Sequence, residues 1–342
     1  MTLRWHDPGW RDETLGWARD QLIRIGRIAG DGITQPHVVP WSTVFRIPTD
    51  DGTFWCKASG PATAYEGRLL EAFARHGIRG ALLPIATDPD RGLILLPDGG
   101  PTLRATRPDG TGDHDLAAWS RVLDGYAELQ RASVPIVDEL VAGGVPDLRS
   151  DALIDALRGR LADDGLWARA DPEERDAADS ARRRLPGLLP EVADLVGVLA
   201  GSGVAATIQH DDLHGGNILV GPEGDRIFDW GDAVVMHPFT TMTATMNSIS
   251  HHAGLDQHGP ELRRLRAGYI EHWTDVAPRP VLEDAVTAAM VLGAIARSAA
   301  WDRVLHDIDP ADVSAAWAGA PAGWLIELVD RLDRARASAA AG

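Results

Sequence analysis

The segment 210–232 reads HDDLHGGNILVGPEGDRIFDWGD, and the interpretation of the whole chain begins there. Two short apolar runs, 218–220 and 226–228, flank the sequence Gly-Pro-Glu-Gly-Asp, whose residues are typical of tight turns. Apolar runs separated by such a turn predict a β-hairpin. One polar loop precedes the first strand and another follows the second, so both loops are expected at the open end of the hairpin.

The open end of this hairpin brings oxygen-bearing side chains together. Asn217 precedes the first strand and Asp229 follows the second, and paired strands lie about 5 Å apart. Asp212 lies shortly before Asn217 and joins them through the loop. Two carboxylates and an amide oxygen therefore converge on a small volume. Hard oxygen ligands of this kind suit Mg²⁺ with bound phosphates.

A surface hairpin with ordinary polar loops is the alternative interpretation. Two features of the segment argue against it. The loops hold acids and histidines in place of generic turn formers, and the flanking strands are apolar enough to be buried. Buried like charges need a counter-ion, so the segment predicts a functional site.

The composition is that of a soluble globular protein, with 44% hydrophobic and 24% charged residues. A chain of 342 residues exceeds the size at which one core usually stops growing, so two lobes are expected. The formal net charge of −17 argues against binding to nucleic acids or to anionic membranes. The same charge is compatible with a cationic small substrate.

The single cysteine, Cys56, excludes an internal disulfide and is expected in the core, which fits a reducing compartment. The N-terminus lacks the apolar stretch of a signal peptide. The longest apolar runs, 195–208 and 285–296, are interrupted by glycines or too short to cross a bilayer. A cytoplasmic protein is therefore the expectation.

Residue periodicity divides the chain near position 97, where the Pro/Gly-rich connector 97–101 predicts a hinge. We expect an α+β protein with a small antiparallel-sheet lobe over residues 1–97 and a larger, mostly helical lobe over 98–342. Pro186 and Pro190 are expected to break the helix at 173–199. The predicted strands are 38–47, 53–58, 81–86 and 93–96. The predicted helices are 10–27, 62–76, 114–132, 136–142, 151–162, 173–199, 239–253, 260–275, 281–305 and 311–338.

The string His210-x-Asp212-x-x-x-x-Asn217, followed by Asp229-Trp230-Gly231, resembles the catalytic and metal loops of the aminoglycoside phosphotransferase superfamily. These enzymes are small-molecule kinases with a protein-kinase-like two-lobe fold. The order of elements is also similar: a sheet lobe with Lys57, a helix with Glu66, a hinge, a helical lobe, and then the two loops. The resemblance thus covers most of the chain.

The resemblance implies a role for each matched residue. Asp212 would be the catalytic base for the acceptor hydroxyl, and Asn217 and Asp229 would hold Mg²⁺. Lys57 would contact the α- and β-phosphates of ATP, and Glu66 would pair with Lys57. His210 would brace the catalytic loop.

The residues expected around adenine and the phosphates match the pattern of the family less closely. Residues Leu96, Pro97 and Asp98 would form the hinge beside adenine. The first hairpin has no glycine-rich loop, so the turn that contains Ser42, or the turn at 50–52, is expected to cover the phosphates. By strand alternation Trp55 lies on the same face as Lys57, where it would shape the adenine pocket or narrow it.

Three other functions are less consistent with the sequence. A metal-dependent phosphohydrolase would use His210, Asp211, Asp212, His214, Asp229 and His237 as a metal cluster. A non-catalytic nucleotide-binding relative would keep only the pocket, and a protein kinase would need activation-segment signals that the chain lacks.

The favoured function is an ATP- and Mg²⁺-dependent phosphotransferase whose acceptor is a hydroxyl of a small molecule. An aminoglycoside, an amino sugar or a similar alcohol fits the resemblance. A cationic acceptor would need acidic side chains in the helical lobe. The candidates are Asp256, Glu261, Glu271, Asp275, Glu283 and Asp284.

Overall fold

The N-terminal part of the chain folds into one five-stranded antiparallel sheet. The structure is a computed structural model that describes residues 3–341, with side chains described up to residue 337. The spatial order of the strands is β1-β2-β3-β5-β4, so the third strand is central. Their bounds are β1 Thr34–Val39, β2 Ser42–Thr49, β3 Gly52–Ser59, β4 Ala86–Asp88 and β5 Leu93–Pro97.

Eleven α-helices are described, and most of them follow the sheet. The C-terminal half also contains two small antiparallel pairs, β6 with β9 and β7 with β8. The strands are β6 Thr207–Gln209, β7 Ile218–Leu219, β8 Arg226–Ile227 and β9 Val234–Met236. The helices are α1 Pro8–Arg24, α2 Glu66–His76, α3 Leu116–Ser133, α4 Val137–Ala142, α5 Asp151–Ala162, α6 Asp164–Ala168, α7 Arg175–Gly201, α8 Met242–Ala253, α9 Pro260–Ile270, α10 Arg279–Leu305 and α11 Ala315–Ala341.

The two faces of the large sheet have different partners. One face carries Phe45, Phe54 and Cys56, which pack against Leu15 and Leu22 of helix α1. Cys56 is fully buried there, as predicted for a core residue, and burial raises the pKa of its thiol to about 12. The other face of the sheet is therefore available to the cleft between the lobes.

Helix α10 is the central element of the helical lobe, and it contacts helices α5, α7, α8, α9 and α11. Every residue from Ala288 to Ala300 is buried. Gly293 allows the close approach of α8, because a Cβ atom at this position would lie 2.1 Å from Oγ1 of Thr243. In a helix that is buried on all sides, each polar side chain must have a polar partner within the protein.

The α+β, two-lobe fold agrees with the prediction, but several predicted elements were wrong in detail. The predicted strand 38–47 is a hairpin that turns at Pro40 and Trp41, because proline has no N–H to continue the ladder. The predicted strand 81–86 begins only at Ala86, since Pro84 interrupts it. Helix α6 and strands β6 and β9 were missed because they are short. The lobe boundary at residue 97 stays a prediction.

Pro186 and Pro190 do not break helix α7, contrary to expectation. Each proline removes one intrahelical hydrogen bond. Both side chains lie on the exposed face, four residues apart, where water can satisfy the freed carbonyl groups. The opposite face buries Leu185, Leu188 and Val192 in the core, and this packing maintains the helix.

No helix among the described residues combines the length and the hydropathy that a bilayer crossing requires.

Candidate active site

The predicted hairpin is present and brings its polar ends together. Strands β7 and β8 pair through Ile218–Ile227 and Leu219–Arg226. The N–H of Phe228 donates to the carbonyl oxygen of Asn217 at 3.1 Å, which continues the ladder to the open end. Asn217 and the residue after Phe228, Asp229, therefore lie side by side.

The sheet lobe holds this hairpin directly. The N–H of Leu82 donates to the carbonyl oxygen of Ile227 at 2.9 Å, and the N–H of Ile227 donates to that of Gly80 at 2.8 Å. Within the segment predicted as a strand at 81–86, the N–H of Leu82 thus bonds to this hairpin, whereas the N–H of Ile85 donates to the carbonyl oxygen of Leu95 at 2.7 Å. The bonds to the hairpin position it relative to the large sheet.

Lys57, Glu66 and Asp229 form what we call the lysine cluster. The ammonium group of Lys57 donates to Oε2 of Glu66 at 2.5 Å and also to Oδ1 of Asp229. Lys57 and Glu66 are almost fully buried, whereas half of the Asp229 side chain is exposed. The cluster joins a strand, a helix and the metal-loop segment through one cation.

Charge compensation keeps this lysine protonated. Burial alone would lower the pKa of Lys57, but the carboxylates of Asp229 and Glu66 raise it above its ordinary value. The second oxygen of Glu66, Oε1, accepts from the backbone N–H of Trp230 at 2.9 Å. Glu66 therefore fixes both the lysine and the loop that carries Asp229.

His210 connects the loop that holds Asp212 to the strand that ends before Asp229. Its Nε2 lies 2.8 Å from the carbonyl oxygen of Phe228, which only accepts hydrogen bonds, so Nε2 carries the proton. Burial lowers the pKa of His210 below its ordinary value. The ring packs edge-on against Trp230 with centroids 4.9 Å apart. This histidine is held in a structural position.

Asp212 and Asn217 lie together at the mouth of the site. The Nδ2 of Asn217 donates to the backbone carbonyl of Asp212 at 3.0 Å. The amide oxygen of Asn217 accepts no hydrogen bond from the residues that the structure describes. The Asp212 side chain is 36% exposed, and its Oδ2 lies 3.6 Å from Nε2 of His214.

A residue that sequence reasoning missed organises the other half of the site. Arg297 of helix α10 is 4% exposed, and its guanidinium faces three carboxylates. Its Nη2 lies 3.2 Å from Oδ1 of Asp212, and its Nη1 donates to Oδ2 of Asp232 at 2.9 Å. Nη1 also donates to the backbone carbonyl of Asp211 at 3.0 Å. We call Arg297, Asp211, Asp212 and Asp232 the arginine cluster.

Asp211 is the most buried acid of the arginine cluster. Its φ is 63°, and its Oδ2, 3.7 Å from Arg297, has no hydrogen-bond partner among the described residues. Burial raises the pKa of Asp211 to about 7, and Arg297 opposes that rise. Asp211 thus sits inside the cluster, whereas Asp212 alone is open to solvent from the catalytic loop.

The cleft face of the large sheet carries the predicted nucleotide residues. Trp55 pairs directly with Leu96, and both lie on the face of Lys57, one side-chain repeat away. Ser42 begins β2 on this same face, two residues before Val44, which pairs with Lys57. The sheet therefore places Ser42, Lys57, Trp55 and Leu96 along one surface.

The hinge residues follow without a break. Pro97 ends β5 opposite Phe54, and Asp98 is exposed, with Oδ1 accepting from the N–H of Gly100 at 3.2 Å. Position 99 has no room for a side chain, because a Cβ atom there would lie 2.2 Å from Cδ1 of Leu219. The hinge consequently packs against the catalytic hairpin.

The turn between β1 and β2 reaches the helical lobe. The ring of Trp41 lies edge-on against Trp317, with centroids 5.0 Å apart, and against Trp301 at 5.6 Å. Trp301 belongs to α10, the helix of Arg297, and Trp317 belongs to α11. This aromatic contact bridges the lobes next to Ser42.

A family model described as "Phosphotransferase enzyme family" matches residues 40–279. This match covers more than half of the chain, including strands β2 to β5 of the sheet, the hinge and both loops.

The chain belongs to the phosphotransferase enzyme family.

It is therefore an enzyme that transfers a phosphoryl group to a hydroxyl of a small molecule. No curated protein matches the chain.

Solved structures of this phosphotransferase type share the fold. Choline kinase from Cryptosporidium parvum is 12% identical, with a TM-score of 0.58, and the alignment covers 98% of this chain and 95% of that one. The macrolide 2′-phosphotransferase from Brachybacterium faecium is 19% identical, with a TM-score of 0.53 and coverage of 90% and 97%. The GDP complex of aminoglycoside 2′-phosphotransferase-IIIa is 13% identical, with a TM-score of 0.56 and coverage of 94% and 99%.

The alternative metal cluster is not assembled in this phosphotransferase. Among the residues that the structure describes, no three His, Cys, Asp or Glu side chains form a metal-binding group. His237 lies elsewhere, with Nε2 3.2 Å from Oγ of Ser202, and burial lowers its pKa to about 3. His210 is engaged with the backbone, as described above.

Some of the acids considered for a cationic acceptor have arginine partners. Asp275 accepts two hydrogen bonds from Arg131, at 2.9 and 2.7 Å. Glu271 contacts Arg279, and Oε1 of Glu283 lies 3.8 Å from the same guanidinium. These three carboxylates are therefore paired within the helical lobe.

Two features of the phosphotransferase sequence point to the buried cations of the site. Lys57 is the only lysine among 33 basic residues, so every other cationic position is arginine. Arg297 is the only charged residue between Ala285 and Ala300. An arginine inside such an apolar helix requires buried acidic partners.

Proposed function

We propose that this phosphotransferase transfers the γ-phosphoryl group of ATP, with Mg²⁺, to a hydroxyl of a small alcohol such as an aminoglycoside or an amino sugar. One observation carries the proposal: Lys57 is buried between Glu66 and Asp229, while Asn217, bonded to the backbone of Asp212, lies at the end of the hairpin that Asp229 follows. Phosphoryl transfer needs positioned charge more than covalent chemistry. This arrangement supplies a fixed cation, two oxygen ligands and one exposed carboxylate.

The side chains present fit a magnesium ion. Asp229 keeps half of its carboxylate exposed, and the amide oxygen of Asn217 is free of hydrogen bonds from described residues. Two protein oxygens with the remaining positions left to phosphates and water are typical of Mg²⁺ sites. When bound, Mg²⁺ supplies neutralisation of the phosphate charge.

On the nucleotide side, Lys57 would contact the α- and β-phosphates as a point charge, held in place by Glu66. The adenine would lie along Trp55 and Leu96, beside Pro97 and Asp98. Ser42 would approach the phosphates from the β1–β2 turn. The shared sheet face of Trp55, Leu96, Ser42 and Lys57 supports this direction for the bound nucleotide.

On the acceptor side, Asp212 would accept the hydroxyl proton or orient the hydroxyl as it attacks. Its exposure supports this role, since a general base must reach the substrate. Arg297 would act as a positioning residue, because its contact with Oδ1 leaves Oδ2 directed toward His214 and the cleft. The net charge of −17 favours a cationic acceptor, drawn to the protein by its field.

The decisive experiment is a coupled ATP-turnover assay with Mg²⁺ across a panel of aminoglycosides, amino sugars, macrolides and amino alcohols. We expect acceptor-dependent ADP release that Asp212→Ala abolishes, while Mg-ATP still raises the melting temperature of that variant. Asp229→Ala should lose most of this Mg-ATP shift. Glu223→Ala, which changes an exposed acid in the hairpin turn, is the matched control.

Three results would overturn the proposal. Near-normal turnover by Asp212→Ala would remove the assigned base. Phosphate release that needs a metal but no acceptor would indicate a hydrolase. Binding of Mg-ATP without turnover for any acceptor of these classes would favour a non-catalytic relative.

A further inference from the structure

A second cavity lies in the helical lobe, between helices α9, α10 and α11. Its volume is about 800 Å³, within the range of small-molecule sites. Aliphatic side chains form much of the wall, among them Ile270, Val286, Met290 and Val291. None of the residues assigned to the nucleotide, the metal or the acceptor hydroxyl lines this space.

The charge of this cavity is opposite to that of the protein. Four arginines line it, against one carboxylate, Glu283, in a chain of net charge −17. Glu283 is itself near Arg279, at 3.8 Å. We call the space the basic cavity after its arginines, which are Arg263, Arg266, Arg331 and Arg334.

Two of these arginines have a structural explanation. Arg331 is 6% exposed and donates to the carbonyl oxygen of Met290 at 2.7 Å, to Asn247 at 2.9 Å and to Glu327 at 2.9 Å. Arg334 shares Glu327, with its Nη2 3.1 Å from Oε1. These contacts fix helix α11 against α8 and α10, so both arginines already have partners within the protein.

The other two arginines lack an acidic partner among the described residues. Arg266 is half-buried, and the hydrogen-bond contact of its Nη1 is the sulfur of Met290, at 3.5 Å. Arg263 donates to the backbone carbonyl of His258. Burial, and then the nearby Arg263, lower the pKa of Arg266. A half-buried guanidinium beside a second cation, with a thioether as its contact, is poorly compensated.

We propose that the basic cavity binds an amphipathic organic anion: a carboxylate, sulfonate or phosphate group on an aliphatic or aromatic body. The anion would lie on Arg266 and Arg263, and the body would pack against Ile270, Val286 and Met290. Guanidinium groups bind such anions with charge-assisted hydrogen bonds. The aliphatic wall adds the burial of apolar surface.

The basic cavity is connected to the catalytic region by one helix. Met290 and Arg297 lie seven residues apart on α10, which is two turns, so they share a helix face about 10 Å apart along the axis. Thr243 of α8 donates to the carbonyl oxygen of Met290 at 3.1 Å. The proposed site is thus separate from Asp212, and its occupant contacts the helix that holds Asp212 in place.

The test uses a matched pair of fluorescent probes on the full chain. The anion 8-anilinonaphthalene-1-sulfonate should bind the wild type, and the uncharged N-phenyl-1-naphthylamine should bind more weakly. Arg266→Gln should weaken the sulfonate probe about tenfold or more and leave the uncharged probe unchanged. Arg264→Gln, an exposed arginine of the same helix that does not line the cavity, should leave both affinities unchanged.

A second variant controls for probe binding elsewhere. Thr287→Trp changes an exposed residue on the rim of the basic cavity, where the indole would occupy the space, so both probes should weaken. Displacement of the sulfonate probe by Mg-ATP to the same extent in the wild type and in Arg266→Gln would place the probe in the nucleotide cleft and overturn the proposal. Equal sulfonate affinity in wild type and Arg266→Gln, with unchanged melting temperatures, would also overturn it.

Discussion

The lysine cluster and the arginine cluster solve the same electrostatic problem in different ways. Each places one cation among carboxylates at the cleft. Lys57 binds through a compact ammonium that reaches Glu66 on one side and Asp229 on the other. Arg297 uses its planar fork to contact three acids and a backbone carbonyl at once. A compact ammonium can move its contact from a carboxylate to a phosphate, whereas a planar guanidinium is suited to hold several acids in one fixed arrangement.

The difference assigns separate tasks to the two clusters. If Lys57 contacts the nucleotide as proposed, its ammonium is shared between the carboxylates and the phosphates, so its contacts are expected to change during the reaction. In the arginine cluster the carboxylate of Asp212 is the most exposed group, at 36% against 26% for Asp232. Variants of each cation therefore test whether one cluster acts on the substrate and the other on the protein.

The largest effect is expected from removal of the lysine. Lys57→Met should lower kcat/KM about 10²–10³-fold, because the phosphates lose their fixed cation. Lys57→Arg should not rescue turnover, since the buried position leaves little room for a guanidinium. Steady-state kinetics with saturating acceptor measures both variants, and Arg91→Met, in the exposed β4–β5 turn, is the control.

The sequence offers a second measurement of the same residue. Because Lys57 is the only lysine, an amine-specific reagent reports on a single side chain, read by peptide mass spectrometry. Mg-ATP should slow modification of Lys57 severalfold. Equal modification rates with and without nucleotide, together with normal turnover by Lys57→Arg, would contradict a phosphate-binding role.

The next effect concerns the arginine and should be divided between stability and turnover. Arg297→Met leaves three acids without their cation, and breaking a buried ion pair from one side costs roughly 3–5 kcal/mol. We expect this loss in the free energy of unfolding by urea titration, with kcat lowered about tenfold and KM for ATP unchanged. Arg297→Lys should restore part of the stability and little of kcat, because an ammonium cannot hold three acids in one plane.

This division separates positioning from simple support. If Arg297→Lys recovers stability and kcat in equal proportion, the arginine only supports the fold. Arg158→Met, an exposed arginine of α5 paired with Asp155, provides the control for loss of a surface cation. It should change neither quantity measurably.

Sequence reasoning paired Lys57 with Glu66 but gave Asp229 only as a metal ligand, and it missed the arginine cluster for a physical reason. Lys57 and Glu66 are close in the chain, on a strand and the helix that follows it, so local spacing predicts their contact. Arg297 meets Asp212 only after α10 has packed through the helical lobe, and no spacing rule connects the two positions. The fold class followed from patterning, whereas Pro186 and Pro190 misled because solvent exposure cannot be read from their spacing alone.

A third effect is the contribution of Asp211, in the arginine cluster, to the pH dependence of stability. The pKa of Asp211 is raised by burial to about 7, above its value of 3.8 in the unfolded chain. Between these values Asp211 binds more protons in the folded state than in the unfolded state, so its contribution to the free energy of unfolding falls as pH rises from about 4 to about 7. Asp211→Asn should remove this slope, on the order of a few kcal/mol across the window.

Urea titrations at pH 5 and pH 7.5 check this sign. The wild type should lose stability relative to Asp211→Asn on going to the higher pH. Asp115→Asn, at the exposed N-terminus of α3, should retain the wild-type slope. A variant Asp211→Asn that loses stability with pH as steeply as the wild type does would show that the slope arises elsewhere.

The smallest effect is expected at Trp41, the contact between the lobe of the lysine cluster and the helix of the arginine cluster. Its ring lies against Trp301 and Trp317, and edge-to-face aromatic pairs contribute about 0.5–1.5 kcal/mol each. Trp41→Ala should therefore raise KM for ATP severalfold through a looser β1–β2 turn, with kcat nearly unchanged. Trp41→Phe should keep most of the affinity because an aromatic ring remains.

A double-variant cycle decides whether this contact couples the two lobes. If Trp41 and Trp301 act through each other, Trp41→Ala and Trp301→Ala should raise KM by similar factors, and the double variant should be no worse than either one. Additive effects would mean that each tryptophan acts locally. In the coupled case α10, which holds the Asp212 carboxylate through Arg297, also holds the β1–β2 turn beside Ser42. The two clusters are then linked through α10 and this turn.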